Sequence, residues 1–263
     1  MKRLDATPLG GLLRAEIADG STFAAGPAKP STASNPELPA YLARHYAWAY
    51  IWPFSVWFFD HQPIIDAILF GNYRAIMRHT LRLMDAGNAG RTLQVAAVYG
   101  ELTPTLAEAI DDLHLVDAAP IQLEEARRKL AAIGKRACLT RMQAESLRYE
   151  SGSFDSVLIF LLLHEMPPAA RAAALREAIR VLRPGGKLVI AEYGECRKRH
   201  FFHRFAPMRW VLTHAEPFLD GFWKESLDGV LEKCAAGLGR SVKREEQVDI
   251  FGGFYRVMRY RAG

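Results

Sequence analysis

The sequence has only three cysteines, Cys138, Cys196 and Cys234, and they lie far apart. An odd number of widely spaced cysteines argues against a disulfide framework and against a Cys-x-x-Cys metal site. This pattern is typical of a protein from a reducing compartment.

Long apolar runs are also absent. The first residues, MKRLDATPLGGLLRAEIADG, carry charges but no continuous apolar segment of the kind that a secretory signal contains. No run reaches the ~20 residues that a helix needs to span a bilayer. We therefore expect any contact with a membrane to be peripheral.

No motif typical of nucleic-acid binding and no GxxxxGK[ST] P-loop is present. The net charge of +5 suits an anionic surface such as lipid headgroups as well as it suits nucleic acid. Because no nucleic-acid motif accompanies this charge, we expect no nucleic-acid partner.

The composition divides the 263 residues into three parts. Residues 1–37 are rich in Ala, Gly, Pro, Ser and Thr and predict a flexible N-terminal arm. Residues 38–86 are dense in aromatic residues and predict a helical cap, which Pro53 and Pro63 break into two or three helices. Residues 87–263 are long enough for a single α/β domain.

The aromatic residues of the cap allow two interpretations, which are compatible with each other. They serve as a lid or interfacial anchor for a lipophilic substrate, because Trp and Tyr suit the depth of lipid headgroups. Alternatively, they form the core of a cap that packs on the domain.

Strand and helix patterns alternate from Thr92 onward. The predicted strands lie at 92–97, at 113–117, within 137–147, within 153–167 and at 187–194. The predicted helices lie at 103–113, at 121–134, from 169 until Pro184-Gly185-Gly186 stops the helix, and around 223–237. The last stretch, REEQVDIFGGFYRVMRYRAG, predicts an antiparallel hairpin at the sheet edge. This alternation favours an α/β fold with a doubly wound, mostly parallel sheet.

The loop after the first strand, VAAVYGELTP, is unusual for a nucleotide-binding α/β domain. Such a loop usually carries several glycines that let the backbone approach the ligand. Here only Gly100 remains, and it follows Ala96, Ala97, Val98 and Tyr99.

Two segments, LHLVDAAPIQLEEARRKL and LREAIRVLRPGGKLVIAEYG, resemble class I S-adenosylmethionine (SAM) methyltransferases, which have a Rossmann-like fold. The resemblance implies that Asp117 accepts hydrogen bonds from the ribose hydroxyls of SAM. Members of that superfamily ordinarily carry acidic residues where Gln94 and Gln143 stand, and more glycines where Ala96 and Val98 stand. Either the site is inactive, or it holds SAM differently.

A more specific resemblance covers residues 40–257. The segments HYAWAYIWPFSVWFFDHQPIIDAILFGNY, LQVAAVYGELTPTLA, FLLLHEMPPAARAAALREAIRVLRPGGKLVI, EPFLDGFW and FGGFY resemble, in that order, the RquA family, which is related to quinone methyltransferases of the UbiE type. The resemblance implies conversion of ubiquinone to rhodoquinone, in which an amino group replaces a ring methoxy group. It also implies SAM as the amino donor and a requirement for Mn²⁺.

The resemblance implies a SAM site at these residues: Val98, Tyr99, Gly100, Glu101, Thr103, Asp117, Gln122, Gln143 and Ala144. Tyr99, Glu101 and His164 are the candidate catalytic residues. Tyr99 suits contact with the substrate, and equally a loop tyrosine packed on the cap. The carboxylate of Glu101 suits the SAM ammonium group, and equally the N-terminus of a helix.

His164 and Glu165 lie where the fourth strand is expected to open onto the ligand crevice. An imidazole and a carboxylate suit Mn²⁺, which favours nitrogen and oxygen donors. Alternatively, His164 binds backbone and Glu165 caps the next segment. Adjacent residues usually point apart on a strand, so further donors are needed, and the candidates are Glu101, Glu192 and His61.

The segment RKRHFFHRFAPMRW interleaves cations with aromatic residues and suits contact with anionic lipid, although a solvated loop packed on the domain is the alternative. We expect a bacterial cytoplasmic protein that is peripheral to the inner membrane, with ubiquinone as its substrate. The alternatives to the RquA reaction are a SAM-dependent methyltransferase of a quinone or another lipophilic molecule, and a non-catalytic SAM-fold binding protein.

Overall fold

The computed structural model describes residues 38–195 and 200–263. The predicted flexible arm at 1–37, Cys196 and the Arg-Lys-Arg sequence at 197–199 lie outside the described residues. Among the described residues, no helix combines the length and the apolar character that a bilayer-spanning segment requires.

A seven-stranded sheet forms the centre of the fold, with the strand order β3-β2-β1-β4-β5-β7-β6. The strands are β1 Thr92–Val95, β2 Leu113–Asp117, β3 Cys138–Arg141, β4 Phe154–Phe160, β5 Leu182–Tyr193, β6 Val242–Ile250 and β7 Tyr255–Ala262. The first five strands pair in parallel, whereas β7 is antiparallel to both β5 and β6. The predicted doubly wound sheet and its antiparallel edge hairpin are therefore confirmed.

Short helices connect and cover these strands. They are α1 Ala47–Tyr50, α2 Pro53–Phe59, α3 Gln62–Ile68, α4 Tyr73–Met84, α5 Leu102–Ala109, α6 Pro120–Ala132, α7 Pro168–Val181, α8 Phe201–Arg204, α9 Ala206–Ala215, α10 Leu219–Lys224 and α11 Leu227–Ala236. A π-helical turn at Leu42–Tyr46 precedes α1. Residues 40–84 thus form more helices than the two or three that the prolines predicted, although Pro53 and Pro63 do begin α2 and α3.

The helix that the sequence predicted to continue to Pro184 ends earlier, at Val181. Leu182 already pairs with Phe154, so the Arg-Pro-Gly-Gly sequence belongs to the exposed start of β5. Pro184 disfavours the helical conformation for the residue before it, which accounts for the earlier helix end.

The core lies on both faces of the sheet. The central strand β4 is buried along most of its length, and Val157, Leu158 and Ile159 are inaccessible to solvent, as expected for a parallel strand that is covered on both faces. Residues of α3 and α4 join the same core, including Ile65 and Tyr73.

Arg171 of α7 fixes the turn that follows β4. Its guanidinium is only 1% exposed, and it donates through Nε to the carbonyl of Leu163 at 2.8 Å and through Nη2 to that of Met166 at 3.0 Å. Nη1 pairs with Glu225. Because Leu163 and Met166 flank His164 and Glu165, this one side chain positions both candidate ligands.

We predict that Arg171→Met lowers the free energy of unfolding by about 3 kcal/mol, because two buried carbonyls and a carboxylate lose their donor. Urea unfolding measures this change. The matched control is Arg128→Met, whose side chain is 67% exposed and pairs with Glu125 one turn away, and its expected change is below about 0.5 kcal/mol. Equal effects of the two substitutions would contradict the positioning role.

Candidate active site

A cavity of about 360 Å³ lies at the carboxyl ends of β1, β2 and β4, beneath the first helices. Seven of the residues predicted for the site line it: Val98, Tyr99, Asp117, Gln122, Ala144, His164 and Glu165. Four others do not belong to its lining: Gly100, Glu101, Thr103 and Gln143. The rest of the wall is mostly apolar and aromatic, with rings from Tyr46, Trp48, Tyr50, Phe59 and Tyr193.

Gly100 lies behind this wall, where the loop after β1 meets the cap. Its φ is +85°, and a Cβ atom there would lie 2.6 Å from the hydroxyl of Tyr73. That hydroxyl accepts hydrogen bonds from the N–H groups of Glu101 and Leu102 at 2.8 and 3.0 Å. A side chain of the cap therefore satisfies the first turn of α5, and the close approach requires glycine at position 100.

Gln94 and Thr103 stabilise the same loop from inside. The amide of Gln94 donates to the carbonyl of Ala96 at 3.0 Å and accepts from the hydroxyl of Thr103 at 3.1 Å. Both side chains are buried. This arrangement uses both ends of a neutral amide, which explains glutamine where an acidic residue is usual. Thr103 supports the loop and does not face the cavity.

Glu101 lies at the N-terminus of α5 and is exposed to solvent. Glu101 does not line the cavity, so it would not contact a ligand held there. Its position agrees with the alternative interpretation, an acidic residue at the N-terminus of a helix. Gln143 lies next to the lining residues Met142 and Ala144, and it pairs with Ser146 through an isolated β-bridge.

Asp117 ends β2 and faces the cavity. Its two carboxylate oxygens accept from the N–H groups of Ala97 at 2.8 Å and Ala119 at 2.7 Å. Burial raises the pKa of Asp117 to about 6, although these hydrogen bonds oppose the shift. A carboxylate that is held in place by two backbone donors and faces a cavity is a suitable acceptor for a diol such as ribose.

Tyr99 connects the loop to the cap and also lines the cavity. Its hydroxyl donates to the carbonyl of Ala49 and accepts from the amide of Gln122 at 3.0 Å. Its ring stacks on that of Tyr50, with 5.7 Å between centroids and an interplanar angle of 11°. Both interpretations of Tyr99 thus describe part of its environment, because it packs on the cap and presents its ring to the cavity.

A second link between loop and cap runs through Asp60. Its carboxylate accepts from the N–H of Gly100 at 2.9 Å and pairs with Lys129, which also donates to the carbonyl of Gly100. The cap is therefore held against the loop by Tyr73, Tyr99 and Asp60 together.

His164 and Glu165 do not lie on a strand, contrary to the sequence prediction. The strand β4 ends at Phe160, Leu161 has a φ of +51°, and residues Leu163–Glu165 form a 3₁₀ turn. In this turn both side chains face the cavity, and His164 Nε2 lies 3.9 Å from Glu165 Oε1. The turn thus removes the objection that adjacent residues on a strand point apart.

Glu216, at the end of α9, joins these two residues. One donor atom from each of His164, Glu165 and Glu216 lies within 4.8 Å of the others. Sequence reasoning considered other donors and missed Glu216. It is the first residue of EPFLDGFW, a segment already noted for its resemblance, and a carboxylate in such a segment was the available signal.

The three other donors that the sequence suggested are placed elsewhere. Glu192 lies behind the imidazole, where its carboxylate accepts from His164 Nδ1 at 2.9 Å, and so it orients the ring and leaves Nε2 toward the cavity. His61 is exposed, and its Nδ1 contacts the carbonyl of Trp57. Glu101 is exposed as described above.

We call His164, Glu165 and Glu216 the acid–imidazole cluster. Their mutual electrostatics favour the protonated form of each group. Burial alone would lower the pKa of His164, but the carboxylates of Glu192, Glu216 and Glu165 raise it to about 9. Burial and the neighbouring Glu216 raise the pKa of Glu165 to about 8, and burial raises that of Glu216. The phenols of Tyr50 and Tyr46 donate to Glu165 and to Glu216, respectively.

The donor set fits a divalent cation. One imidazole nitrogen and two carboxylates match the preference of Mn²⁺ for nitrogen and oxygen ligands. The hydrogen bond from His164 to Glu192 is the kind of outer contact that commonly fixes a metal-binding imidazole. A cation would also offset the repulsion between the buried carboxylate of Glu165 and the half-buried carboxylate of Glu216.

Comparison with known proteins agrees with this architecture. Residues 92–186, which run from β1 into β5, match a family described as a methyltransferase domain. The fold is that of a class I methyltransferase. The predicted Rossmann-like methyltransferase fold is therefore confirmed.

Solved methyltransferase structures share the fold at low sequence identity. Magnesium protoporphyrin IX methyltransferase (ChlM) from Synechocystis PCC 6803, with bound SAM, has a TM-score of 0.56 at 15% identity and covers 87% of this chain and 99% of its own. The N-methyltransferase NodS from Bradyrhizobium japonicum WM9, with S-adenosyl-L-homocysteine, has a TM-score of 0.51 at 16% identity and covers 78% of this chain and 90% of its own.

The curated relatives include methyltransferases named for quinone biosynthesis. A ubiquinone/menaquinone biosynthesis C-methyltransferase UbiE from Shewanella sp. (strain W3-18-1) is 30% identical over 135 residues, which are 49% of this chain and 53% of that protein. A demethylmenaquinone methyltransferase from Beutenbergia cavernae is 33% identical over 128 residues, which are 49% of this chain and 51% of that protein. This methyltransferase-fold chain thus spans about half the length of the curated relatives that it matches.

The raised pKa of Asp117 predicts a dependence of stability on pH. The folded protein holds this proton more tightly than the unfolded chain, so the stability that the group contributes is greatest below its unfolded pKa of 3.8 and is lost as the pH rises through about 6. Asp117→Asn removes this titration. Relative to that variant, the wild-type free energy of unfolding should fall by about 1 to 2 kcal/mol between about pH 4.5 and 7.

Urea unfolding across this pH range measures the difference. A difference between wild type and Asp117→Asn that does not change with pH would contradict the prediction.

Proposed function

We propose that this protein converts ubiquinone to rhodoquinone, replacing a ring methoxy group by an amino group, with SAM as the amino donor and Mn²⁺ as the metal. The observation that carries the proposal is the placement of His164, Glu165 and Glu216 in the same cavity as Asp117. Amino transfer requires control of the proton on the attacking nitrogen, and this cluster supplies groups that can hold one.

The wall of the cavity supports a quinone as the acceptor. Aromatic rings and aliphatic side chains provide most of its surface, with polar groups concentrated at Asp117 and at the acid–imidazole cluster. A flat, mostly apolar ring with a few oxygen atoms suits such a wall. The quinone C-methyltransferases that match half of this chain support the same class of acceptor.

Asp117 would hold the ribose of SAM, and Met142 and Ala144 would face the adenine. The loop from Ala96 to Tyr99 would then border the methionine end. Because Ala96 and Val98 stand where the superfamily ordinarily carries glycines, and Tyr99 follows them, this end of the cofactor would have less room than in the usual site. This crowding supports a changed placement of the amino acid part of SAM.

Transfer of the α-amino group requires that its nitrogen be neutral when it attacks the ring carbon. A bond forms between nitrogen and the ring carbon, and the methoxy group leaves with a proton as methanol. The N–Cα bond of SAM must then break: the quinone ring accepts two electrons and two protons as the N–Cα bond becomes an imine, and water hydrolyses the imine. The products are the aminoquinol, which is reoxidised to the quinone, and the 2-keto acid of SAM. Glu165 and Glu216 both offer a carboxylate to the cluster, and an oxygen that the cation leaves free would accept the proton of the attacking nitrogen. A divalent cation held by the cluster would supply Lewis-acid stabilisation to an oxygen of the acceptor.

Ubiquinone resides in the bilayer, so the proposal puts the protein on the cytoplasmic face of the bacterial inner membrane. Methylation of a quinone or of another lipophilic molecule is the second candidate, and the C-methyltransferases among the relatives favour it. A non-catalytic SAM-fold protein is the third.

One labelling experiment separates the three candidates. Purified protein is incubated with ubiquinone, Mn²⁺ and SAM that carries ¹⁵N in its amino group and deuterium in its methyl group, and the quinones are analysed by mass spectrometry. A product with ¹⁵N supports amino transfer. Ubiquinone has no free ring position, so a parallel incubation uses demethylmenaquinone, and a product with deuterium there indicates methyl transfer. Unchanged ubiquinone, from protein that binds SAM, would overturn amino transfer, and unchanged demethylmenaquinone would overturn quinone methylation.

We predict that Glu216→Gln and His164→Ala lower the Mn²⁺-dependent rate by roughly two orders of magnitude, since each removes one donor of the cluster. Both variants should also need more Mn²⁺ for half-maximal rate. Glu101→Gln is the matched control and should keep the wild-type rate, because its carboxylate lies on the surface. Wild-type metal dependence in the Glu216→Gln variant would exclude Glu216 as a ligand.

A further inference from the structure

Large hydrophobic side chains are exposed on two segments that are separate in sequence. In the cap, the exposed aromatic residues are Trp48, Trp52, Phe54, Trp57 and Phe58. On α8 and α9 and between them, they are Phe201, Phe205 and Trp210. We call these eight side chains the aromatic surface. Phe54 is 72% exposed and Phe201 is 61% exposed, so these rings add little to the core.

Four of the five tryptophans of the protein belong to this surface. Each of these four is 47% to 60% exposed, whereas Trp223 is 7% exposed. Clusters of exposed aromatic residues are rare on proteins that work free in solution and usually mark a binding surface. Indole rings in particular favour the boundary between lipid headgroups and acyl chains.

The charged residues within the two exposed segments have one sign. Residues 40–59 and 200–215 contain no aspartate or glutamate, although the chain has 29 acidic residues. The same two stretches carry exposed arginines at positions 44, 204 and 209. A second copy of this chain would bring like charges against these arginines, whereas a bilayer with anionic lipids would bring opposite charges.

The two segments border the opening of the cavity. Trp48 and Ile68 line the cavity and are also 47% and 49% exposed, so they lie at its mouth. Ala215, the last residue of α9, lines the cavity as well. A partner that covers the aromatic surface would therefore lie directly at the entrance.

Ring contacts hold the cap and the α8–α9 region together. Phe202 of α8 packs on Phe70, just after α3, with 4.6 Å between centroids. His45, before α1, contacts Phe218, just after α9, with 5.4 Å between centroids. The two regions thus pack against each other, and residues of both line the cavity.

We infer that the aromatic surface inserts into the headgroup region of an anionic bilayer and that the cavity opens toward the lipid. The exposed rings enter the interface, and Arg44, Arg204 and Arg209 contact the phosphates. A lipophilic acceptor then reaches the cavity between Trp48 and Ile68 without crossing water. The inference goes beyond the proposed function, because it holds for any lipid-soluble substrate and is tested without turnover.

The first test is binding of the full chain to sedimented vesicles of phosphatidylcholine, with and without phosphatidylglycerol. Binding should require phosphatidylglycerol and should weaken as salt is raised. The double substitution Arg204→Gln/Arg209→Gln should lower the partition coefficient by roughly thirtyfold, the value expected for two cations near the surface. Arg136→Gln, an exposed arginine outside both segments, should leave it unchanged.

The second test uses the tryptophans as depth probes. On vesicles that carry a nitroxide on the acyl chains, the tryptophan fluorescence should shift to shorter wavelength and be quenched. Phe54→Ser/Trp57→Ser should lower binding by roughly tenfold or more. Ile133→Ser is the matched control, because Ile133 is 40% exposed and belongs to neither segment, and binding should not change.

If the Phe54→Ser/Trp57→Ser variant bound vesicles as strongly as the wild type, the inference would be overturned. Sedimentation of the protein without vesicles, abolished by the same substitutions, would do so as well and would assign the surface to self-association. Binding without quenching would show adsorption by charge alone and would exclude insertion.

Discussion

The carboxylate of Glu192 organises the centre of this molecule. It is inaccessible to solvent, and it accepts hydrogen bonds from the imidazole of His164 and from the N–H groups of Leu163, His164 and Tyr193. A buried carboxylate is tolerated only when its oxygens are satisfied in this way. By binding both the backbone and the ring of the turn after β4, it determines where Glu165 and His164 face.

Much of the architecture could be predicted from the sequence, because it depends on patterns that are local. The alternation of apolar strands with helices predicted the parallel sheet, and the apolar run at β4 predicted its central, doubly covered strand. The sequence predicted the end of α7 too late. A proline disfavours the helical conformation at the residue before it, so the helix ends ahead of Pro184.

The candidate site could be predicted only in part, because some of its residues are brought together by packing between distant parts of the chain. Asp117, His164 and Glu165 follow strands whose ends meet at one edge of the sheet, so their proximity could be expected. Glu216 comes from a helix far along the chain, and its approach depends on how α9 packs, which no local pattern encodes. The placement of Glu101 on the surface depends likewise on Tyr73, which takes over the start of α5 from the cap side.

The contact between Tyr73 and Gly100 makes the cap and the loop after β1 structurally dependent on each other. The tyrosine hydroxyl occupies the space that any larger residue at position 100 would need, and it satisfies the helix start that a more usual loop would leave to other groups. Neither side of this contact can be exchanged alone with that of a methyltransferase without such a cap. A chimera between the two kinds of protein would therefore have to join after α5 rather than before β1.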